Sequence, residues 1–95
     1  MTFSPIGKWW QKYEEIDLVA LDEENETIWF GECKWSINPV GEDIYRNLQR
    51  KARIVVWGKE SRLERFILFS RSGFTDGMRT LAVQDDVLLV AGLDV

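Results

Sequence analysis

The chain contains no histidine, only one cysteine and only two prolines among its 95 residues. Without histidine it cannot use a histidine general base or a Ser-His-Asp triad, and it lacks the usual ligand set of a zinc site. The single Cys33 can form no internal disulfide. Any catalysis must therefore use carboxylates, lysine or a metal ion held by oxygen ligands.

Long apolar segments are also missing. No run approaches the roughly 18 apolar residues that a membrane helix needs, and the N-terminal residues lack the basic-then-apolar order of a signal peptide. These absences predict a cytoplasmic protein with no membrane segment. A length of 95 residues is enough for one modest core and too short for two, so we expect residues 1–95 to form a single domain.

The charge is unevenly distributed. Residues 14–32 include eight acidic residues and no basic one, whereas residues 46–65 include seven basic residues and two acidic ones. The net charge of -4 argues against a protein that simply coats nucleic acid, because such proteins gain affinity by neutralising phosphates. Both a metal-dependent phosphodiesterase and a self-complementary surface fit this pattern. The basic run either follows a phosphate backbone or is the solvated side of a helix.

Apolar periodicity and turn residues predict the element order strand, strand, strand, helix, strand, helix, strand. Asn38 is expected to cap the first helix, with Pro39 at its first position, and Val55 is expected to close its apolar stripe. The strands are expected at residues 8–13, 15–21, 27–35, 65–70 and 86–91, and the second helix at residues 78–83.

Two neighbouring strand-like segments carry charged residues within apolar runs: Asp17 in the first, and Glu32 and Lys34 in the second. Buried charges are costly unless they are paired, hydrogen-bonded or bound to a metal. A hairpin centred between Glu24 and Asn25 sets Asp17 directly opposite Glu32, and strand alternation puts Lys34 on the same face. A slip of one residue would move Asp17 to the other face, so this site depends on the register.

This trio suits metal-assisted chemistry. Mg²⁺ is commonly held by one or two carboxylates together with water and substrate phosphate, and Asp17 and Glu32 can supply those carboxylates. Lys34 can orient the attacking water or stabilise charge on the phosphorane. The alternative is an ion-pair cluster on a half-exposed sheet face.

Three further residues are auxiliary candidates. Glu15 lies opposite Lys34 in the same register and either assists the metal site or is solvated. Gln49 and Lys51 follow on the predicted helix and either reach the site or face solvent.

Five tryptophans are many for 95 residues. For Trp9, Trp10 and Trp35, packing in the core or in an interface is favoured over stacking on bases. Cys33 faces away from the charged trio and is expected to be a small buried residue rather than a nucleophile. A second copy could complete an edge strand of so short a domain, which predicts a homodimer.

Asp17, followed by fourteen residues and then Glu32-Cys33-Lys34, resembles the PD-(D/E)xK nuclease-like superfamily, which has the restriction-endonuclease-like fold. The bare pattern is weakly specific. A narrower resemblance, over nearly the whole chain, is to the domain of unknown function at the C-terminus of many archaeal AAA-type ATPases. It rests on residues 6–10, 15–17, 30–35 and 72–74.

The resemblance implies a mixed α/β sheet of the restriction-endonuclease-like class. It implies that Asp17 and Glu32 are metal ligands, that the backbone carbonyl of Cys33 is a third, and that Lys34 is the catalytic lysine. Mg²⁺ or Mn²⁺ is the implied cofactor. DNA and an upstream ATPase domain are the implied partners.

The resemblance also sets expectations about what this chain lacks. Members often add a glutamate from an N-terminal helix; because this chain starts at the first strand, we expect that helix to be absent and the chain to be a fragment or stand-alone version of such a C-terminal domain. It has no GxxxxGK[ST] and so cannot bind nucleotide as a P-loop protein does. The expected function is Mg²⁺-dependent phosphodiester hydrolysis, or else a non-catalytic interaction or dimerisation module with a degenerate site.

Overall fold

A computed structural model describes the backbone of residues 3–11, 14–58 and 62–92, and the side chains from residue 16 onward within these ranges. Five strands and two helices follow one another in the predicted order. They are β1 (Phe3–Gln11), β2 (Glu14–Asp22), β3 (Thr27–Lys34), α1 (Glu42–Ala52), β4 (Leu63–Ser70), α2 (Asp76–Asp85) and β5 (Leu88–Ala91).

The strands form one sheet in the order β1-β2-β3-β4-β5. β1, β2 and β3 are antiparallel neighbours, whereas β3, β4 and β5 run parallel to one another. Parallel neighbours need a crossover connection, and α1 and α2 provide the two that this sheet requires. The predicted mixed α/β class is therefore confirmed.

The β2–β3 hairpin has the predicted register. Its five described pairs run from Leu18 opposite Gly31 to Asp22 opposite Thr27. This is the pairing of a hairpin centred between residues 24 and 25. The one-residue slip that would separate the charged residues does not occur.

Side chains within the turn stabilise this register. Asp22 is buried, and its Oδ2 accepts a hydrogen bond from Nδ2 of Asn25 at 2.9 Å. The Thr27 hydroxyl donates to the Asn25 carbonyl at 3.1 Å. The buried carboxylate thus has a partner, and the chain reverses at a defined position.

The core lies between one face of the sheet and the helices. Phe30 of β3 and Phe66 of β4 stack with ring centroids 5.7 Å apart, and Tyr45 of α1 meets Phe66 edge-on at 5.5 Å. Leu48 and Ala52 of α1 are fully buried against this face. Because alternate residues of a strand share a face, Glu32 points toward the α1 side, as Phe30 does.

Tyr45 also joins the two helices. Its hydroxyl donates to Oδ2 of Asp85 at 2.8 Å and accepts from Nε2 of Gln49 at 3.0 Å. Burial, and then the hydrogen bond to Asp85, raise the pKa of Tyr45 above its ordinary value. The phenol therefore keeps its proton more tightly in the folded than in the unfolded protein.

A pH-dependent stability difference follows from Tyr45. Because the pKa is raised on folding, its contribution is present below the unfolded value of about 10 and is lost as the pH rises further. Tyr45→Phe should cost roughly 1–2 kcal/mol of unfolding free energy at neutral pH. The variant should also lack the loss of stability that the Tyr45 hydroxyl causes at alkaline pH. Urea denaturation of both proteins at neutral and alkaline pH measures this. Parallel pH dependence in the two proteins would contradict it.

The predicted start of α1 is wrong. Asn38 was expected to cap the helix with Pro39 at its first position, but α1 begins at Glu42. Val40 instead forms an isolated parallel bridge with Phe74, in the segment between β4 and α2. This bridge holds the chain extended, so the helix can begin only after it.

The end of α1 also differs from the prediction. Val55 was expected on the helical stripe, but α1 ends at Ala52 and Val55 is buried beyond it. The guanidinium of Arg62 donates to the backbone carbonyls of Ala52, Val55 and Trp57, at 3.2, 2.8 and 2.7 Å. It also pairs with Glu64 at 2.8 Å. These contacts replace the backbone N–H donors that a continuing helix would supply to these carbonyls.

Two other boundaries shift for local reasons. α2 is longer than the predicted residues 78–83 because the Thr75 hydroxyl caps its first turn, accepting from the Met78 N–H at 3.1 Å. β5 begins at Leu88 rather than Asp86, because Asp86 ends α2 in the left-handed conformation with φ of 57°. The predicted strand at residues 8–13 falls within the longer β1 as far as residue 11. Residues 12 and 13 lie outside the described residues.

Candidate metal centre

Asp17 of β2 and Glu32 of β3 meet on the sheet face that α1 covers. Oδ2 of Asp17 accepts a hydrogen bond from the backbone N–H of Cys33 at 3.0 Å, which ties the carboxylate to the opposite strand. The hairpin register puts the two carboxylates on the same face, close enough for the charge of Asp17 to raise the pKa of Glu32. The hairpin thus brings together the two carboxylates that the sequence pattern singled out.

Two lysines contact Glu32 from different sides. Nζ of Lys34 lies 3.7 Å from Oε2, and Nζ of Lys51 lies 3.4 Å from Oε1. Both distances exceed the roughly 2.8 Å of a tight charge-assisted hydrogen bond. The Lys34 side chain is 40% exposed and that of Lys51 is 13% exposed. Lys34 is therefore the lysine that faces solvent, and Lys51 holds Glu32 from the helix side.

The electrostatics at Glu32 are those of a crowded carboxylate. Burial raises the pKa of Glu32, Lys51 opposes that rise, the Asp17 carboxylate adds to it, and Lys34 opposes it. The net direction is upward from the ordinary value. A buried carboxylate beside a second one is a place where an added cation is stabilising.

The environment of Cys33 does not activate its thiol as a nucleophile. Burial raises the pKa of its thiol, and the neighbouring Asp17 and Glu32 carboxylates raise it further. The protonated thiol is a poor nucleophile. Its backbone N–H donates to the Asp17 carboxylate. That its backbone carbonyl is a third metal ligand stays a prediction.

The three auxiliary candidates do not all reach the site. Lys51 reaches the site, whereas Gln49 does not: its amide donates to the Tyr45 hydroxyl, at the contact between the helices. Glu15 pairs through its backbone with Trp10, and its side chain lies outside the described side chains.

The arginines of the basic segment, residues 46–65, fall into two groups. Arg62 closes the end of α1, and Arg65 lies over the Trp29 ring at 4.9 Å and pairs with Asp86 at 2.9 Å. Neither is a simple surface charge. The remaining described arginines of the run are exposed on α1 or at its end: Arg46, Arg50 and Arg53.

Of the three tryptophans expected in the core or in an interface, the structure describes the side chain of one. Trp35 is 59% exposed and is therefore not part of the core of this domain. The side chains of Trp9 and Trp10 lie outside the described side chains.

Ser70 is a residue near the site that the pattern analysis missed. It ends β4 directly beside Lys34 in the parallel ladder and is fully buried. Among the residues that the structure describes, its hydroxyl has no hydrogen-bond partner. The sequence feature that could have identified it is a polar residue at the end of an apolar strand.

The donor set fits a hard divalent cation. Within the described ranges, no group of three or more histidine, cysteine, aspartate or glutamate side chains comes together. The site therefore offers two protein carboxylates, Asp17 and Glu32. Mg²⁺ or Mn²⁺ can use such a site, keeping water and substrate oxygens as further ligands, whereas a structural zinc site needs four protein ligands.

Residues 1–52 match the model of the DUF234 family, described as archaeal and bacterial proteins of unknown function. The chain belongs to the DUF234 family. All four side chains of the candidate metal centre lie inside the matched region. The predicted resemblance to a domain of unknown function is thereby confirmed at this level.

A curated relative of this DUF234 chain is an uncharacterized protein of Methanocaldococcus jannaschii. The two are 42% identical over 55 residues, which is 56% of the chain and 12% of the relative. The chain thus spans only a small part of that relative's length. No solved structure matches the chain. Neither of the described helices has the length and apolar character needed to cross a bilayer.

Proposed function

We propose that this DUF234 domain is a nuclease-like module that hydrolyses DNA phosphodiester bonds with Mg²⁺ or Mn²⁺. The observation that carries the proposal is the meeting of Asp17 and Glu32 on one sheet face, with Lys34 at 3.7 Å from Glu32 on the solvent side. This is the constellation that the D...ExK resemblance to PD-(D/E)xK nucleases implies. The register that produces it is present in the hairpin.

Each residue has a distinct role in this proposal. Asp17 and Glu32 hold the cation, which when bound neutralises phosphate charge and makes a water more acidic. Lys34 donates a hydrogen bond to the attacking water or to a phosphate oxygen. Lys51 is a positioning residue, because its ammonium contacts Glu32 from the helix side and its side chain is only 13% exposed.

The same proposal includes an ATPase domain upstream of this domain as its partner. It rests on the resemblance to C-terminal domains of archaeal AAA-type ATPases. The match to a short part of a much longer relative is compatible with a module inside a larger protein.

Two observations favour a second candidate, a non-catalytic interaction or dimerisation module. Each carboxylate oxygen of Glu32 faces an ammonium group, so the cluster can be satisfied without a metal. The edge strand β5 also exposes Leu88 and Val90, which a second copy of the chain could cover. Such a module would form a stable dimer and bind no cation.

Mn²⁺ titration by calorimetry and a plasmid-nicking assay test the nuclease proposal. We expect saturable Mn²⁺ binding and cation-dependent nicking that a chelator abolishes. Lys34→Met should keep Mn²⁺ binding but lower nicking by roughly 100-fold or more, because one charge-stabilising donor is lost. Arg50→Met, which changes an exposed cation on α1, should leave both unchanged. Absence of Mn²⁺ binding would contradict the proposal and favour the interaction module.

A further inference from the structure

A cavity of about 290 Å³ lies next to the candidate metal centre. It is formed by the end of β3, the segment between β3 and α1, and the first turn of α1. Its polar lining comes from Lys34, Ser36, Asn38 and Asp43, and its apolar lining includes Pro39 and Ile44.

Lys34 connects the cavity to the metal centre. Its side chain lines the cavity, and its ammonium also lies 3.7 Å from Oε2 of Glu32. A ligand in the cavity can therefore reach the same ammonium that contacts the carboxylate pair. The two sites are parts of one surface.

The cavity wall is held in place by hydrogen bonds. The Ser72 hydroxyl donates to the Ser36 carbonyl at 2.7 Å, and the Asn38 N–H donates to the Ser36 hydroxyl at 3.0 Å. The Val40–Phe74 bridge anchors the same segment farther along. A preformed cavity binds a ligand with less ordering cost.

The lining indicates which part of a ligand lies where. The Lys34 ammonium suits a phosphate, whereas the Asp43 carboxylate repels phosphate and accepts hydrogen bonds from the N–H groups that an unpaired base exposes. Pro39 and Ile44 offer apolar surface to a base. The volume is at the lower limit of small-molecule sites, about 300 Å³, so the cavity suits one nucleoside and is too small for a base pair.

We propose that this cavity binds one unpaired nucleoside adjacent to the phosphate at the metal centre, so that the preferred substrate is single-stranded nucleic acid. The inference rests on the proposed nuclease function and names its substrate class. A base within a duplex must first unstack and unpair, which costs a few kcal/mol. An unpaired strand avoids that cost.

Fluorescence anisotropy with a labelled oligo-dT strand, and with the duplex of the same length, tests the inference in a chelating buffer at one fixed salt concentration. Wild type should bind the single strand more tightly. Asn38→Phe puts a bulky ring in the lining of the cavity and should weaken single-strand binding about tenfold, the value of one base contact of about 1.4 kcal/mol. Ile37→Phe is the matched control, because Ile37 is 80% exposed and does not line the cavity.

Circular dichroism shows that each variant is folded, and Asn38→Leu with Ile37→Leu repeats the comparison with smaller side chains. Equal affinity for the single strand and the duplex would overturn the inference. So would equal effects of the changes at positions 37 and 38. The binding assay contains no cation and is therefore independent of the nicking assay with Mn²⁺. Single-strand preference without nicking by the wild type would contradict only the catalytic proposal. Nicking without that preference would contradict only the nucleoside site.

Discussion

Asp17→Asn is expected to lower DNA nicking by roughly two to three orders of magnitude, the loss typical when a charge-stabilising group is removed from an active site. The substitution removes one of two carboxylates that meet at the site, so the cation should bind more weakly. The amide oxygen can still accept the Cys33 N–H that Asp17 now accepts at 3.0 Å. The hairpin should therefore keep its register, and the loss should be chemical rather than structural.

Mn²⁺ titration, plasmid nicking and thermal unfolding of the Asp17→Asn protein separate these effects. Glu24→Gln is the control, because it removes one negative charge from an exposed position of the same hairpin. It should leave nicking and Mn²⁺ affinity unchanged. Undiminished nicking by Asp17→Asn would rule out this carboxylate as a metal ligand.

Arg62→Ala is expected to lower the free energy of unfolding by roughly 3 kcal/mol, because hydrogen bonds to charged groups contribute about 1.5–3 kcal/mol each and water replaces only some of them. The guanidinium donates to three backbone carbonyls at the last residue of α1 and beyond it, and its central carbon lies 5.9 Å from the centre of the Phe30 ring. Its removal leaves the Val55 and Trp57 carbonyls without this donor, whereas the Ala52 carbonyl still accepts from the Val55 N–H at 3.2 Å. A loss of this size is a large fraction of the typical total stability of a small domain.

Urea denaturation measures the effect, with Arg50→Ala as the matched control. Arg50 is exposed and bonds Asn47 one turn away, so its loss should cost no more than about 0.5 kcal/mol. Arg62→Lys should recover only part of the stability, because a point charge cannot reach three carbonyls in the way that a planar guanidinium does. Equal stability of the Arg62→Ala and Arg50→Ala proteins would show that the carbonyl contacts are not stabilising.

The sequence by itself determined the order of the elements and the geometry of the hairpin. Both follow from local chemistry, since the two-residue strand period and the acidic turn between two apolar runs specify which residues are opposed. Asp17, Glu32 and Lys34 could therefore be placed on one face before any tertiary contact was known. Their separation is set within one supersecondary unit.

Only the tertiary structure decided the contacts made between distant segments. Gln49 and Lys51 are two residues apart on α1 and thus about 200° apart around its axis. Which of them reaches Glu32 depends on how α1 packs on the sheet, and the packing selects Lys51. In the same way, Val40 delays the start of α1 through its bridge to Phe74. A helix pattern specifies a face but not its orientation, and that orientation comes from burial against the rest of the fold.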